Sequence, residues 1–160
     1  MKRLPGDDII RDAEVQTDHA ITIDAPPSVV WPWLVQMGWG RGAWYTARWV
    51  DRLLFPANGP SADRIVPGLP DITIGTFIPD GAPETETGLY VVGLEPERAL
   101  VLRSNSHLHF RSRWVTEPWW FTLGGWLAVV PADFVMSHDH LRGVKWRAEK
   151  SALAGPQTVD

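Results

Sequence analysis

Apolar and polar residues alternate over residues 15–24, where Ile21 and Ile23 stand between Thr22 and Asp24. That is the period-two pattern of a half-buried strand. The period then lengthens. Val30, Trp33, Leu34 and Met37 recur at helical spacing after Pro26-Pro27, which predicts a first helix over residues 27–37. Asp24 is expected to cap it, and Pro32 to disturb it locally. Gly38, Gly40 and Gly42 form an elbow, and a second helix is expected over residues 43–55. Residues 56–70 are rich in Pro, Gly, Ser and Asn and read as a loop. Strands are expected at residues 71–78, 88–94 and 98–103, the last two joined by Glu95-Pro96-Glu97. Residues 107–115 alternate, with Leu108, Phe110, Ser112 and Trp114 on one side and His109, Arg111 and Arg113 on the other. One wet face implies an antiparallel sheet. Pro118 is expected to open a short helix ending near Gly124-Gly125. Pro131 then opens a last helix to residue 150, with Phe134, Leu141, Val144 and Ala148 as its buried stripe. Residues 1–14 and 151–160 read as loose tails.

Strands segregated from helices predict an α+β fold. The expected architecture is a curved antiparallel sheet of about five strands on a long C-terminal helix, with two short helices after the first strand. Such a sheet leaves a hollow against the helix, and hollows of this kind hold small ligands. The apolar faces expected to converge there belong to Met37, Trp44, Tyr45, Trp49, Phe77, Tyr90, Phe110 and Phe134. Asp63 is the candidate polar anchor at the mouth.

Composition narrows this picture. At 160 residues the chain is expected to form one domain with a sizeable core. Ten tryptophans supply large rigid surface, for core filling or for lining a cavity. The absence of cysteine excludes disulfides, thiolate metal sites and cysteine nucleophiles. The start, MKRLPGDDII, lacks the apolar run of a secretory signal. The apolar window at residues 119–136 is short and broken by Gly124, Gly125, Pro131 and Asp133, so stable membrane insertion is not expected and the cytoplasm is the default location. The net charge is −4, with residues 1–97 acidic and 98–160 basic, and the basic side chains are dispersed. That pattern speaks against a nucleic-acid surface.

Candidate chemistry is sparse. His138 and His140 are two apart on an expected helix and diverge, whereas a helical metal pair wants i,i+4 spacing. His107 and His109 share a strand face, but it is the wet, arginine-bearing one, so no metal is expected. Ser28, Ser61, Ser104 and Ser112 lack a nucleophile elbow, and Gly38-x-Gly40-x-Gly42 lacks the spacing of a phosphate loop. Asp51 and Asp63 flank the proline-rich loop, with Arg64 as a partner for either. No cofactor is expected and no catalytic residue is assigned. Asp63, Tyr45 and His109 are the groups that a reaction would draw on.

The run AITIDAPPSVVWPWLVQMG at residues 20–38 resembles the opening of the START-like, or SRPBCC, superfamily. That superfamily includes polyketide cyclase/dehydratase-like and lipid-transfer proteins. Val30 to Gly38, the glycine-rich segment Gly40 to Tyr45, and Ala62 to Ile65 are similar to a bacterial subgroup of unassigned activity. GLEPERALVLR at residues 93–103 looks like its hairpin, and residues 131–150 look like its closing helix. The resemblance implies a helix-grip fold with a hydrophobic pocket, but no particular reaction, because one fold hosts many functions. The resemblance implies a further strand between hairpin and final strand, yet only Ser104-Asn105-Ser106 separates Arg103 from His107. One strand is therefore expected to be absent. Residues 107–115 would then run the opposite way, and Trp119, Trp120 and Trp126 could be exposed, favouring a homodimer. The leading expectation is binding of a small hydrophobic, lipid- or polyketide-like molecule. The alternatives are a cyclase/dehydratase-like enzyme and a truncated relative without a working pocket.

Overall fold

Two prolines start the first helix. Pro26 precedes α1 (Pro27–Val35) in an extended conformation, and its carbonyl accepts the Val29 and Val30 amides at 2.9 and 3.2 Å. Proline costs nothing there because first-turn N–H groups have no intrahelical partner. The computed structural model describes residues 5–9, 19–54, 56–104 and 120–154, with the side chains of 53, 54 and 120–133 left aside. The elements after α1 are α2 (Arg48–Leu54), β1 (Phe77–Pro79), a 3₁₀ turn (Pro83–Thr85), β2 (Gly88–Glu95), β3 (Ala99–Ser104) and α3 (Trp120–Ala154).

The fold is α+β, with an open antiparallel sheet of order β1-β2-β3 among the described residues. Phe77 faces Tyr90, Tyr90 faces Arg103, and Val91 faces Leu102, with the register shifting between Val91 and Gly93. The alternation sends Ile78 and Val91 inward, both with no exposed surface. Phe77 and Tyr90 therefore face outward. Ile72, Ile78 and Val91 form one core cluster. Trp33, Met37, Tyr45, Val144 and Ala148 form the other, where α1 packs on α3. Trp44 and Leu100 pack against both clusters and join them.

Of the five expected strands the described residues contain three, and several bounds are corrected. Residues 19–24 carry no ladder, and residues 15–18 and 107–115 lie outside the described residues. The strand expected at 71–78 reduces to Phe77–Pro79. Upstream, the Thr76 amide donates to the Thr73 carbonyl and the Thr73 amide to Thr76 Oγ1, and Gly75 has φ +91°. These local bonds turn the backbone over residues 73–76, while the Gly75 amide and the Thr76 carbonyl still bond Val91 of β2 at 2.8 and 2.9 Å. The second helix begins at Arg48 rather than Ala43, because Ala43 and Tyr45 have φ near +60°, which no helix accommodates. The last helix is continuous from Trp120 through Gly124, Gly125 and Pro131. Glycine and proline weaken a helix without forbidding it.

Asp24 does not cap α1, whose N-cap is Pro26 with no side-chain bond. Its backbone amide instead donates to Glu149 Oε1 on α3 at 2.8 Å. Lys145 pairs with the same carboxylate and donates to the Thr22 carbonyl at 2.8 Å. Residues 22–24 are thus strapped along α3. The Lys145 hydrogen bond, followed by the Asp24 amide, holds the Glu149 carboxyl below its usual range.

Candidate functional site

The C-terminal turn of α1 sets up everything downstream. A helix leaves its last carbonyls without intrahelical partners. Here the elbow supplies donors. Tyr45 Oη donates to the Trp33 carbonyl at 2.8 Å, Arg41 Nη2 to Val35 at 3.1 Å, and the Gly42 amide to Gln36 at 2.7 Å. The elbow is closed by reciprocal bonds between Gly38 and Ala43 and tied to β1 by the Trp39 amide on the Pro79 carbonyl. Gly38 is required twice over: its φ is +122°, and a Cβ there would sit 2.5 Å from Ile78 Cγ2.

This arrangement buries Tyr45, and burial raises its hydroxyl pKa to about 12, against smaller opposing effects of Gln36, Arg147 and Arg41. Arg147 of α3 places its guanidinium 4.8 Å from the Tyr45 ring centre. It donates to the carbonyls of Ala62 at 2.6 Å and Gly143 at 3.1 Å, and reaches Asp63 at 3.4 Å. Asp63 also pairs with Arg48 at 3.0 Å. Beside it the buried Asp51 carboxylate accepts Thr46 Oγ1 at 2.5 Å, the Ser61 amide at 3.0 Å and Ser61 Oγ at 2.9 Å. This polar junction locks α2, the following loop and α3 together. Asp63 spends its carboxylate inside it, and Tyr45 spends its hydroxyl on the Trp33 carbonyl.

His140 stacks on Tyr45 with ring centres 6.2 Å apart, and its Nδ1–H donates to the Trp44 carbonyl. His138 points elsewhere and stacks on Phe134 at 5.4 Å. Burial lowers the His140 pKa below its ordinary 6.5, and Arg147 adds to the effect while the Trp44 bond opposes it. The unfolded chain therefore takes up this proton first as the pH falls. Stability from His140 is complete above about 6.5 and declines below it. Wild-type protein is expected to lose stability between pH 8 and 5.5 more steeply than His140→Asn, by at most about 1.4 kcal/mol per pH unit. Urea midpoints across that range measure it, and parallel curves for the two proteins would refute it.

An apolar groove lies on the other side of α1. Ala25, Pro27, Val30, Trp31, Leu34 and Met37 form one wall. The β2–β3 turn and β3 form the other with Glu97, Arg98, Ala99, Leu100 and Leu102. Its volume is about 350 Å³, within the range of small-ligand sites. No described residue of α3 lines it, so it is not the hollow expected between sheet and C-terminal helix.

Of the residues singled out by sequence, Met37 lines this groove. Trp44 and Tyr45 sit in the core beside it. Trp49 is 61% exposed on α2, out of phase with the inward Val50 and Asp51. Phe77 and Tyr90 meet in a tilted contact on the outer sheet face, ring centres 5.2 Å apart. Phe134 is exposed on α3, and Asp63 is held in the junction. Phe110 and His109 lie outside the described residues. Sequence reasoning missed Val30, Trp31, Leu100 and Leu102 as wall residues. The groove-lining residues all fall within residues 20–38 and 93–103, two of the segments quoted for the resemblance.

Comparison with family models, with curated proteins and with solved structures gives no match. Among the described residues no helix is long and apolar enough to cross a membrane, and no three His, Asp or Glu side chains gather to hold a metal ion.

Proposed function

We propose that this chain binds a small hydrophobic, lipid- or polyketide-like molecule in the groove between α1 and the β2–β3 hairpin, as a START-like protein of the helix-grip kind. The observation that carries the reading is the groove itself. It offers about 350 Å³ walled mainly by aliphatic side chains and an indole, and burial of apolar ligand surface there is worth roughly 25 cal/mol per Å² before binding costs. The combination of an antiparallel sheet with a long C-terminal helix supports the helix-grip part.

The groove favours binding over chemistry. Its titratable wall residues are Glu97 and Arg98, both exposed at the rim. Tyr45 is deep in the core with its hydroxyl committed to Trp33. A general acid or base must reach the reacting atom, and no described side chain does so from inside the groove.

Filling the groove is the test. The neutral fluorescent probe N-phenyl-1-naphthylamine is expected to bind the wild type saturably, at one site. Val30→Trp and Ala99→Trp, which put an indole into the space from opposite walls, are expected to weaken it about tenfold or more, the loss of roughly 1.4 kcal/mol. Thr73→Trp, on an exposed turn, serves as control. Equal binding by all four proteins, each with wild-type circular dichroism, would overturn the assignment.

A further inference from the structure

The rim of the groove carries a charge with no ion-pair partner among the described residues, on a strained backbone. Glu95, Pro96, Glu97 and Arg98 make the tight turn between β2 and β3, closed by the Arg98 amide on the Glu95 carbonyl at 3.0 Å. Pro96 suits the second position of such a turn. The third position needs positive φ, which glycine or asparagine ordinarily supplies. Glu97 occupies it with φ +60°. A residue with a Cβ is disfavoured in this region, so the turn is held at a local expense.

The charges around the turn are unevenly matched. Arg98 reaches across it to Glu95, Nη1 to Oε2 at 3.4 Å. Among the described residues no cation lies within ion-pair distance of the Glu97 carboxylate. Both Glu97 and the indole of Trp31 line the groove. A carboxylate and an aromatic ring attract the same head group, a protonated amine, the first by charge and hydrogen bonding and the second through its π-system. A ligand carboxylate would meet Glu97 with like charge, and Arg98 is already engaged.

We infer that the ligand is an amphiphilic amine: an apolar tail in the groove between α1 and β3, and an ammonium group at the rim against Glu97. The inference rests on the groove reading above and adds the chemistry of the head. Glu97 is then the residue that discriminates among apolar ligands of equal size, while the walls supply affinity to all of them.

Isothermal titration at pH 7.5 with octylamine, octanol and octanoate, each below its aggregation limit, separates the two. The wild type is expected to bind octylamine about fivefold more tightly than octanol, the scale of a partly exposed ion pair, and octanoate most weakly. Glu97→Gln and Glu97→Gly are expected to bind octylamine and octanol alike, with octanol affinity unchanged. Gly relieves the turn, so folding is not at risk in that variant. Equal octylamine and octanol affinities in the wild type would overturn the head-group inference and leave the groove standing. An amine preference that survives in both Glu97 variants would also overturn it, tracing the attraction to the net charge of −4. Binding of none of the three, or octanol binding undiminished in Val30→Trp, removes the groove reading and this inference with it.

Discussion

Gly143→Ala is expected to destabilise the protein by about 2 kcal/mol or more, although alanine is the better helix former. Gly143 lies within α3 where that helix crosses the elbow. A Cβ built there falls 2.0 Å from the Tyr45 carbonyl oxygen, 2.7 Å from Tyr45 Cβ and 3.0 Å from its carbonyl carbon. Propensity alone predicts a gain of about 1 kcal/mol from alanine. The contact decides the sign, because the atoms in the way are backbone and Tyr45 cannot retreat. Its φ is already +57°, its hydroxyl is bound to Trp33, and Arg147 and His140 cover its ring. Overpacking of this kind costs about 3 kcal/mol, which outweighs the propensity gain. A fall in melting temperature of about 6 °C follows for a chain of this size. A melting temperature equal to or above that of the wild type would mean that α3 does not press on the elbow.

That close approach also explains what was legible in the sequence and what was not. The first helix and the β2–β3 hairpin were read nearly in place, because Pro26-Pro27 and Glu95-Pro96-Glu97 act through local backbone geometry. The second helix was read five residues too early. Its amphipathic pattern extends back to Ala43, but the elbow must turn the chain so that Tyr45, Arg41 and Gly42 meet the carbonyls of α1. Those are contacts at a distance, and they override propensity with two left-handed non-glycine residues. Gly143 itself carries no local signal. Its reason is a neighbour some hundred residues away in sequence.

The candidate site was mostly illegible in the sequence. Of the described apolar residues singled out only Met37 lines the groove, and Phe77 and Tyr90 turn outward because the strand parity is set by Ile78 and Val91. A one-residue change of parity moves every side chain to the other face, and periodicity alone does not say which face meets the core. Asp63 was expected as a polar anchor at the mouth with Arg64 as a partner, but it does not line the groove, and the arginines that hold it, Arg48 and Arg147, come from two different helices. Glu97 was visible only as part of a turn. Its position at the rim depends on α1 folding against β3.

Asp51→Ala is expected to cost about 3 kcal/mol, within the range for removing one partner of a buried, charge-assisted network. The carboxylate is 4% exposed and serves three donors: Thr46 Oγ1, the Ser61 amide and Ser61 Oγ. Alanine leaves all three without that acceptor in a buried setting, and each loss carries a desolvation cost of its own. The consequences spread along the loop. Ser61 is followed by Ala62, whose carbonyl accepts Arg147 Nε and whose amide donates to the Gly42 carbonyl, and then by Asp63, which pairs with Arg48 and Arg147. Freeing Ser61 therefore loosens the hold of the loop on α3 and on the elbow together. Asp51→Asn keeps one acceptor oxygen and is expected to cost about half as much. Urea denaturation gives the ordering, wild type above Asn above Ala, and limited proteolysis is expected to cut the alanine variant first within residues 56–65. If Asp51→Ala matches the wild type in both measurements, the buried carboxylate is not what fastens the loop, and the junction must be held by the remaining Arg48, Arg147 and Ala62 bonds.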